Sequence, residues 1–268
     1  MNRFRARRKK KRYRLIAVLV VVVLAAGVLL PYCLEPGIPV LMYHCVSEAP
    51  RGGDENLYCR PAQIEEELVY LNKNSYTTLF ATEYEQAYSV SKPVILTFDD
   101  GYEDNYTELF PLLKEYNVKA TIFVVSSYVD TEGYLSSAQI REMVDSGLVS
   151  VQSHTSGHVE LTGLGKEELQ EELRRSCAEL AKITGRNVTA ISYPGGYYNS
   201  DVIEEVERYF TYAYAIDTNK YSKSNHYEIS RGGVFRNTTL EAFEKAIKTY
   251  SQRRICREYL LLMDKIFG

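Results

Sequence analysis

The chain has 268 residues, of which 45% are hydrophobic and 25% are charged. This composition is typical of a folded globular protein and excludes a disordered, collagenous or miniature disulfide-stabilised chain. Residues 1–14 hold nine of the 32 Lys and Arg residues, so the rest of the chain has 23 basic against 35 acidic residues. An acidic main domain cannot cluster the cations that nucleic acid requires, so we expect no nucleic-acid partner, and the sequence predicts no protein partner.

An apolar segment follows this basic start. Residues 15–30 have no polar side chain, and the stretch from Tyr13 to Tyr32 reaches the ~30 Å needed to cross a membrane. The basic residues predict a cytoplasmic N-terminus, with the chain after Pro31 outside the cell. We interpret residues 15–32 as an uncleaved transmembrane signal-anchor. A cleaved signal peptide, which would make the protein secreted, is the alternative.

After a tether at residues 33–37, strand-like and helix-like segments alternate. Apolar runs predict strands at residues 38–43, 76–80, 94–98, 120–125, 148–151, 190–193 and 212–216. Helical patterns occur at residues 61–72, 106–116, 137–146, 166–183, 201–209 and 239–250. The alternation predicts an α/β fold, a distorted parallel (β/α) barrel of about seven strands over residues 38–250. Residues 251–268 are predicted to form a helical tail.

Two groups of polar residues follow predicted strands. Asp99 and Asp100 come directly after one strand, and His154 and His158 come shortly after another. Adjacent carboxylates repel each other unless a cation lies beside them, and two histidines at this spacing can converge on one metal ion. Alone, the carboxylates are typical of a turn and the histidines of a solvated loop. Together they predict an Asp-His-His metal site with one carboxylate left as a base.

These residues lie in motifs that resemble those of the polysaccharide deacetylases, carbohydrate esterase family four. Thr97–Tyr102 reads Thr-Phe-Asp-Asp-Gly-Tyr and is similar to the first motif of the family. Ser153–His158 reads Ser-His-Thr-Ser-Gly-His and is similar to the second. Ile38–His44 is similar to the start of the branch that acts on poly-N-acetylglucosamine. The resemblance covers about residues 38–250 and is specific at the first two motifs.

Position by position, the resemblance implies that Asp100, His154 and His158 bind the metal ion. It also implies that Asp99 is the general base, and that the backbone N–H of Gly195 faces the developing oxyanion.

The third motif of the family begins Arg-x-Pro, whereas this chain has Ser192-Tyr193-Pro194. The arginine that steers the base is therefore missing, and we expect Arg231 to replace it. A solvated surface cation is the alternative interpretation of Arg231.

The general acid is less clear, because the late Leu-x-His motif of the family is not visible. His44 follows the first predicted strand, so a barrel would place it on the same rim as Asp99 and His154. We predict His44 as the acid, with His226 as the weaker choice and a core histidine as the alternative for His44. Sugar contacts are predicted for Tyr102, Tyr193 and Pro194, although most of the 23 tyrosines are expected in packing.

The resemblance implies a metal-dependent hydrolase that removes N-acetyl groups from an extracellular polysaccharide containing N-acetylglucosamine. Peptidoglycan and poly-N-acetylglucosamine are the expected polymers, and the expected cofactor is a divalent metal, most simply Zn²⁺. An O-acetyl glycan esterase and a catalytically impaired glycan-binding envelope protein are the alternatives. We expect a single-pass protein of a bacterial cell membrane, held there by its N-terminal helix, with the catalytic domain outside the cell.

Overall fold

A computed structural model of the protein describes residues 37–50, 52–216 and 226–252. Almost all of these residues belong to one compact unit, Ile38–Ser251. The predicted basic segment, the predicted signal-anchor and nearly all of the predicted tether and tail lie outside the described residues. Within the described ranges, no helix is both long enough and apolar enough to cross a membrane.

Ten strands occur in the described part of the chain. They are β1 (Val40–Tyr43), β2 (Cys45–Val46), β3 (Tyr58–Cys59), β4 (Thr77–Leu79), β5 (Pro93–Phe98), β6 (Ala120–Val124), β7 (Val149–Ser153), β8 (Ala190–Ser192), β9 (Tyr212–Ile216) and β10 (Ile229–Gly233). Six longer helices accompany them: α1 (Pro61–Lys73), α2 (Phe110–Tyr116), α3 (Ser137–Asp145), α4 (Lys166–Thr184), α5 (Ser200–Val206) and α6 (Leu240–Gln252). A short π-helix, Asn105–Leu109, precedes α2.

Seven strands close into a parallel barrel. The strand β1 pairs with both β10 and β5, and β9, β8, β7 and β6 complete the ring between those two. The short strand β4 pairs with the first residues of β5, whereas β6 pairs with its last residues, so β4 extends the sheet without joining the ring. The strands β2 and β3 form a separate parallel pair. The predicted barrel of about seven strands is confirmed.

The membership of the ring differs from the prediction at one strand. The predicted segment at residues 76–80 is β4, which lies outside the ring, and the seventh barrel strand is β10. The sequence of β10, Ile-Ser-Arg-Gly-Gly, contains one large apolar residue. It shows no apolar run because this strand buries an arginine, so periodicity alone does not reveal it.

Local sequence signals set the helix ends. The hydroxyl of Ser136 accepts a hydrogen bond from the N–H of Gln139, and the side chain of Gln139 accepts one from the N–H of Ser136. This reciprocal capping box fixes the start of α3. At the other end of a helix, Gly185 adopts φ 65° and terminates α4, because glycine enters the left-handed region without a Cβ penalty.

The interior of the barrel changes from apolar to polar along its strands. Ile95, Ala190 and Ile229 belong to one buried apolar cluster together with Phe123 and Tyr214. Successive residues on a strand face opposite sides, so the residue two positions further on faces the same side. Those residues are Thr97, Ser192 and Arg231, all buried. The fold therefore collects polar groups inside the barrel near the carboxyl ends of its strands, the rim where (β/α) barrels carry their active sites.

Candidate active site

Asp99 and Asp100 follow β5 and point in different directions. The N–H of Asp99 donates to the carbonyl of Tyr43 at 2.9 Å, which continues the pairing with β1. Asp100 adopts φ 74° and Gly101 adopts φ 78°, so the backbone turns sharply at this point. As a result the side chain of Asp99 pairs with Arg231, whereas that of Asp100 faces two histidines.

Asp100, His154 and His158 converge on one point. The Oδ1 atom of Asp100 lies 3.4 Å from Nε2 of His154 and 3.3 Å from Nε2 of His158. One ligand atom from each residue can be chosen so that all lie within 4.8 Å of one another. Ligand atoms about 2.0–2.1 Å from a tetrahedral zinc ion lie about 3.3 Å apart. The two carboxylate-to-histidine distances therefore match what a zinc ion requires.

The hydrogen bonding of His154 supports a bound cation. Its Nδ1 atom lies 2.8 Å from the carbonyl oxygen of Ser192, which can only accept, so Nδ1 carries the proton. In the neutral ring, Nε2 then directs a lone pair at the carboxylate of Asp100. Two electron-rich atoms at this distance repel each other unless a proton or a cation lies between them. The residues present therefore fit a divalent metal ion.

The pKa shifts of His154 and Asp100 indicate that a positive charge is favoured beside the carboxylate of Asp100. Burial lowers the pKa of His154, but the carboxylates of Asp99 and Asp100 outweigh it and the net shift is upward. Burial and the nearby His154 lower the pKa of His158. Burial raises the pKa of Asp100, but its hydrogen bond and charge interaction with His154 lead to a lower value. A site that raises the pKa of a buried imidazole stabilises a cation.

Asp99 forms a buried bidentate ion pair with Arg231. The two guanidinium nitrogens Nη1 and Nη2 lie 2.7 Å from Oδ1 and Oδ2 of Asp99, and Arg231 is fully buried. Nη1 also donates to the hydroxyl of Thr97 at 3.0 Å, and Nη2 to that of Ser192 at 2.7 Å. Ser192 in turn donates to Oδ2 of Asp99 at 3.1 Å. Three side chains on three strands thus fix the orientation of one carboxylate: Arg231 and Ser192 contact it directly, and Thr97 holds Arg231.

This pairing keeps Asp99 ionised. Burial alone would raise the pKa of Asp99, but the charge of Arg231, followed by that of His154, holds the pKa well below its usual range. The structure therefore places Arg231 where its guanidinium can orient Asp99, and excludes the alternative of a solvated surface cation.

His44 and Gly195 lie on the same rim. His44 follows β1 and is partly buried. Burial lowers the pKa of His44, and the charges of Asp99 and Asp100 oppose this shift in part. Gly195 follows β8 with φ 62°, and a Cβ there would meet the ring of Tyr197 at 2.8 Å. Glycine therefore suits this position, because a side chain would be strained at this φ and crowded by the ring of Tyr197.

Two predicted sugar contacts are contradicted by burial. Tyr193 has no exposed surface, stacks on Tyr198 and donates its hydroxyl to the carbonyl of Tyr227 at 2.9 Å. Pro194 is also buried. Neither side chain can contact a polymer, because the turn after β8 directs both into the core. Tyr102 is partly exposed and stacks on Tyr134, so its predicted contact stays a prediction.

The alternative general acid is also wrong. The carbonyl of His226 accepts a hydrogen bond from the N–H of Ala213, near the start of β9, and its Nε2 atom lies 3.2 Å from Glu85. This position is at the amino end of the barrel strands, opposite Asp99.

Sequence reasoning missed two hydrogen-bonding residues of the site, Thr97 and Ser192. Thr97 and Ser192 were not assigned a role, although Thr97 lies two positions before Asp99 and therefore shares its side of the strand. Three large hydrophobic side chains are notably exposed in the described part of the chain: Tyr197 at 59%, Phe235 at 41% and Ile216 at 39%. All three lie at or just after the carboxyl ends of β8, β9 and β10. An exposed apolar group at this rim is a candidate ligand contact.

Comparisons with known proteins agree with this geometry. The family profile for polysaccharide deacetylase matches residues 88–214. YxkH of Bacillus subtilis, named as a polysaccharide deacetylase, is 34% identical over 176 residues, which are 64% of this chain and 61% of YxkH. A poly-β-1,6-N-acetyl-D-glucosamine N-deacetylase of Staphylococcus aureus is 26% identical over 217 residues, 73% of each protein. The present chain thus spans less than two thirds of YxkH.

The fold is also similar to that of a solved structure. BC0361, a polysaccharide deacetylase from Bacillus cereus, is 34% identical with a TM-score of 0.75. The match covers 80% of this chain and 69% of BC0361. The protein described here therefore belongs to the polysaccharide deacetylase family, carbohydrate esterase family four, which confirms the family resemblance of its sequence.

Proposed function

We propose that the protein is a metal-dependent hydrolase that removes N-acetyl groups from an extracellular polysaccharide containing N-acetylglucosamine. One observation carries this proposal: an Asp-His-His cluster that fits a metal ion lies beside an ionised carboxylate oriented by Arg231. Zn²⁺ is the proposed metal, because nitrogen and oxygen ligands at these spacings suit a tetrahedral ion. Poly-N-acetylglucosamine is the first polymer to test, since it is the substrate named for the Staphylococcus relative, and peptidoglycan is the second.

The roles of the residues follow from their positions. Asp100, His154 and His158 hold the metal ion. A divalent ion there would supply a Lewis acid for the acetamide carbonyl and lower the pKa of a bound water molecule. Asp99 accepts the proton of the attacking water. Its Oδ1 atom receives a hydrogen bond from Arg231 and keeps a second lone pair for this task.

Two further groups complete the reaction on the same rim. The N–H of Gly195 stabilises the oxyanion, because the glycine leaves its backbone open to substrate. His44 protonates the departing amine, since it follows β1 on the same rim as Asp99 and Asp100. Burial lowers the pKa of His44, and the charges of these two carboxylates oppose that shift in part. Sugar rings stack on Tyr102 and on the exposed rings of Tyr197 and Phe235.

The proposed location is a bacterial cell membrane. The basic start and the apolar segment at residues 15–32 support a single-pass anchor with a cytoplasmic N-terminus and an outer catalytic domain. A polymer outside the cell would then be the accessible substrate. Recovery of the intact protein from the culture medium, free of membranes, would contradict this location.

The test measures acetate release from matched N-acetylated and O-acetylated oligosaccharides of both polymers. We expect release from the N-acetylated sugar, loss of release with a chelator, and recovery on adding Zn²⁺. Asp99→Asn should lower kcat about 100- to 10,000-fold while bound zinc is retained. The control is Asp201→Asn, an exposed carboxylate in the first turn of α5, which should leave kcat unchanged.

Each other outcome contradicts a part of the proposal. Full activity in Asp99→Asn would refute its role as base. Release from O-acetylated sugars alone would make the protein an esterase, and zinc binding without any release would make it a glycan-binding protein. His44→Ala should lose acetamide hydrolysis but keep hydrolysis of 4-nitrophenyl acetate, whose leaving group needs no proton. An equal loss on both substrates would refute His44 as the acid.

A further inference from the structure

The turn that joins the two candidate metal-binding histidines has an unfavourable backbone. Thr155 adopts φ 66° and His158 adopts φ 53°, both in the left-handed region. A residue with a Cβ loses free energy there, and a β-branched threonine more than most. Such a conformation persists only where surrounding contacts impose it. The contacts of this turn therefore decide where His158 points.

The hydrogen bonds of the turn come from three directions. The hydroxyl of Ser153 accepts from the N–H of Thr155 at 3.1 Å, and the hydroxyl of Thr155 accepts from the N–H of His158 at 3.0 Å. The carbonyls of Thr155 and Ser156 accept from the N–H groups of Ser126 and Ser127 at 3.2 and 3.1 Å. None of these hydrogen bonds uses the backbone N–H groups of Ser156 and Gly157.

A single carboxylate oxygen accepts both of these remaining donors. The Oε2 atom of Glu172 lies 3.0 Å from the N–H of Ser156 and 2.8 Å from that of Gly157. A Cβ on Gly157 would meet Oε1 of Glu172 at 3.2 Å, so the turn lies directly against this carboxylate. Hydrogen bonds to an ionised acceptor are about twice as strong as neutral ones.

One face of the helix α4 contacts the turn between His154 and His158. Glu172, Ser176 and Glu179 are spaced four and three residues apart and so share a face of the helix. The hydroxyl of Ser176 lies 2.8 Å from that of Ser153, at the end of β7. Glu179 accepts from the hydroxyl of Ser126, whose own N–H supports the turn. The helix therefore supports both ends of the turn and the segment beside it.

From these contacts we infer that Glu172 is a positioning residue that holds the turn between His154 and His158 in its metal-binding conformation. It acts through two backbone N–H groups of the turn. Without it, these donors lose their partner, the left-handed conformation at Thr155 and His158 relaxes, and His158 no longer converges with Asp100 and His154. This inference rests on the proposed metal site.

The test is the dissociation constant for Zn²⁺, measured on the full chain by competition with a chromophoric chelator. Glu172→Ala should weaken zinc binding about 10- to 100-fold, the size typical of lost support around metal ligands. Glu172→Gln keeps an acceptor oxygen and should stay within about threefold of wild type. The matched control is Glu171→Ala, because the exposed Glu171 pairs with Arg174 on the outer face of the helix.

Two further variants make the outcome decisive. His158→Ala should abolish tight zinc binding, and if it does not, the proposed metal site itself is wrong. If His158→Ala loses zinc but Glu172→Ala binds it as wild type does, only the role of Glu172 is overturned. Circular dichroism checks folding. Should Glu172→Ala fail to fold, Glu172→Asp keeps the charge but shortens its reach, and wild-type zinc affinity in that variant would equally overturn the inference.

Discussion

Asp99 and Glu67 are two buried carboxylates whose pKa values shift in opposite directions. Each has 2% of its surface exposed. Asp99 pairs with Arg231, and its pKa falls well below the usual range. Glu67, on α1, accepts from the hydroxyl of Tyr43 at 2.8 Å and from the amide of Gln63 at 3.3 Å, both neutral groups. Burial raises the pKa of Glu67 to about 7, although these hydrogen bonds oppose it.

The difference shows that the partner, and not the depth of burial, decides whether a buried carboxyl is ionised. A guanidinium compensates the desolvation of a charge, whereas a phenol and an amide compensate only part of it. The barrel rim therefore holds a carboxylate that is ionised at neutral pH, as the proposed proton transfer requires. The contact between β1 and α1 instead holds an acid that exchanges its proton near neutral pH.

The largest effect on stability and kcat is expected from removing the positive charge of Arg231. Arg231→Met leaves Asp99 as an unpaired buried charge, so the free energy of unfolding should fall by about 3–5 kcal/mol. The carboxylate also loses its orientation, and kcat should fall about 100-fold. Urea denaturation and acetate-release kinetics measure the two effects. The matched control is Arg174→Met, since Arg174 pairs with Glu171 and both side chains are exposed. If Arg231→Met is as stable as the wild type, the charge of Arg231 does not compensate the burial of Asp99.

The substitution Glu67→Gln is expected to have the intermediate effect on stability, and the size of this effect depends on pH. Its folded pKa of about 7 exceeds the ordinary value of 4.5, so the wild-type protein loses stability as pH rises between these values. Each unit of difference between the folded and the ordinary pKa corresponds to about 1.4 kcal/mol. The free energy of unfolding therefore falls by about 3 kcal/mol in total. Glu67→Gln imitates the protonated acid, so it should match wild type near pH 4.5 and exceed its stability by up to about 3 kcal/mol at pH 8.

Urea denaturation at both pH values checks this result. Glu66→Gln, at the exposed neighbouring position, should show a much smaller difference, because the charge of Glu66 is the smallest of the causes that shift the pKa of Glu67. A stabilisation by Glu67→Gln that is equal at pH 4.5 and pH 8 would contradict the raised pKa.

The smallest effect is expected at Ser192. Its hydroxyl links Arg231 to Asp99, but the ion pair itself survives in Ser192→Ala. The free energy of unfolding should fall by about 1 kcal/mol, and kcat by less than about tenfold. Zinc affinity should not change, because His154 contacts the backbone carbonyl of Ser192. A loss as large as that of Arg231→Met would mean that neutral groups, rather than the guanidinium, stabilise Asp99.

Much of the barrel and the centre of the site could be predicted from the sequence. Buried parallel strands are apolar runs, so β1 and β5 to β9 are visible in the pattern. Asp99, Asp100, His154 and His158 stand just after two of these runs, and barrel geometry brings such residues together. Their convergence thus needed only local patterns and one general rule about parallel strands.

The remaining features depend on contacts between distant residues. The strand β10 is invisible because the residue that makes it important, Arg231, also removes its apolar pattern. Tyr193 resembles an exposed sugar contact in sequence, yet the left-handed turn at Gly195 leaves it in the core. Glu172 lies among exposed helix glutamates, and only the folded position of the histidine turn distinguishes it from Glu171.

The closure of the ring has a consequence for protein synthesis. Asp99 and Arg231 are 132 positions apart, and Arg231 reaches Asp99 only when β10 has docked between β9 and β1. A nascent chain that has emerged through β8 already contains every candidate metal ligand but no guanidinium for the base. On the proposed function, a chain in which β10 has not docked would hold its metal ligands but lack the guanidinium that orients Asp99, so its rate of deacetylation should be about 100-fold lower until β10 docks.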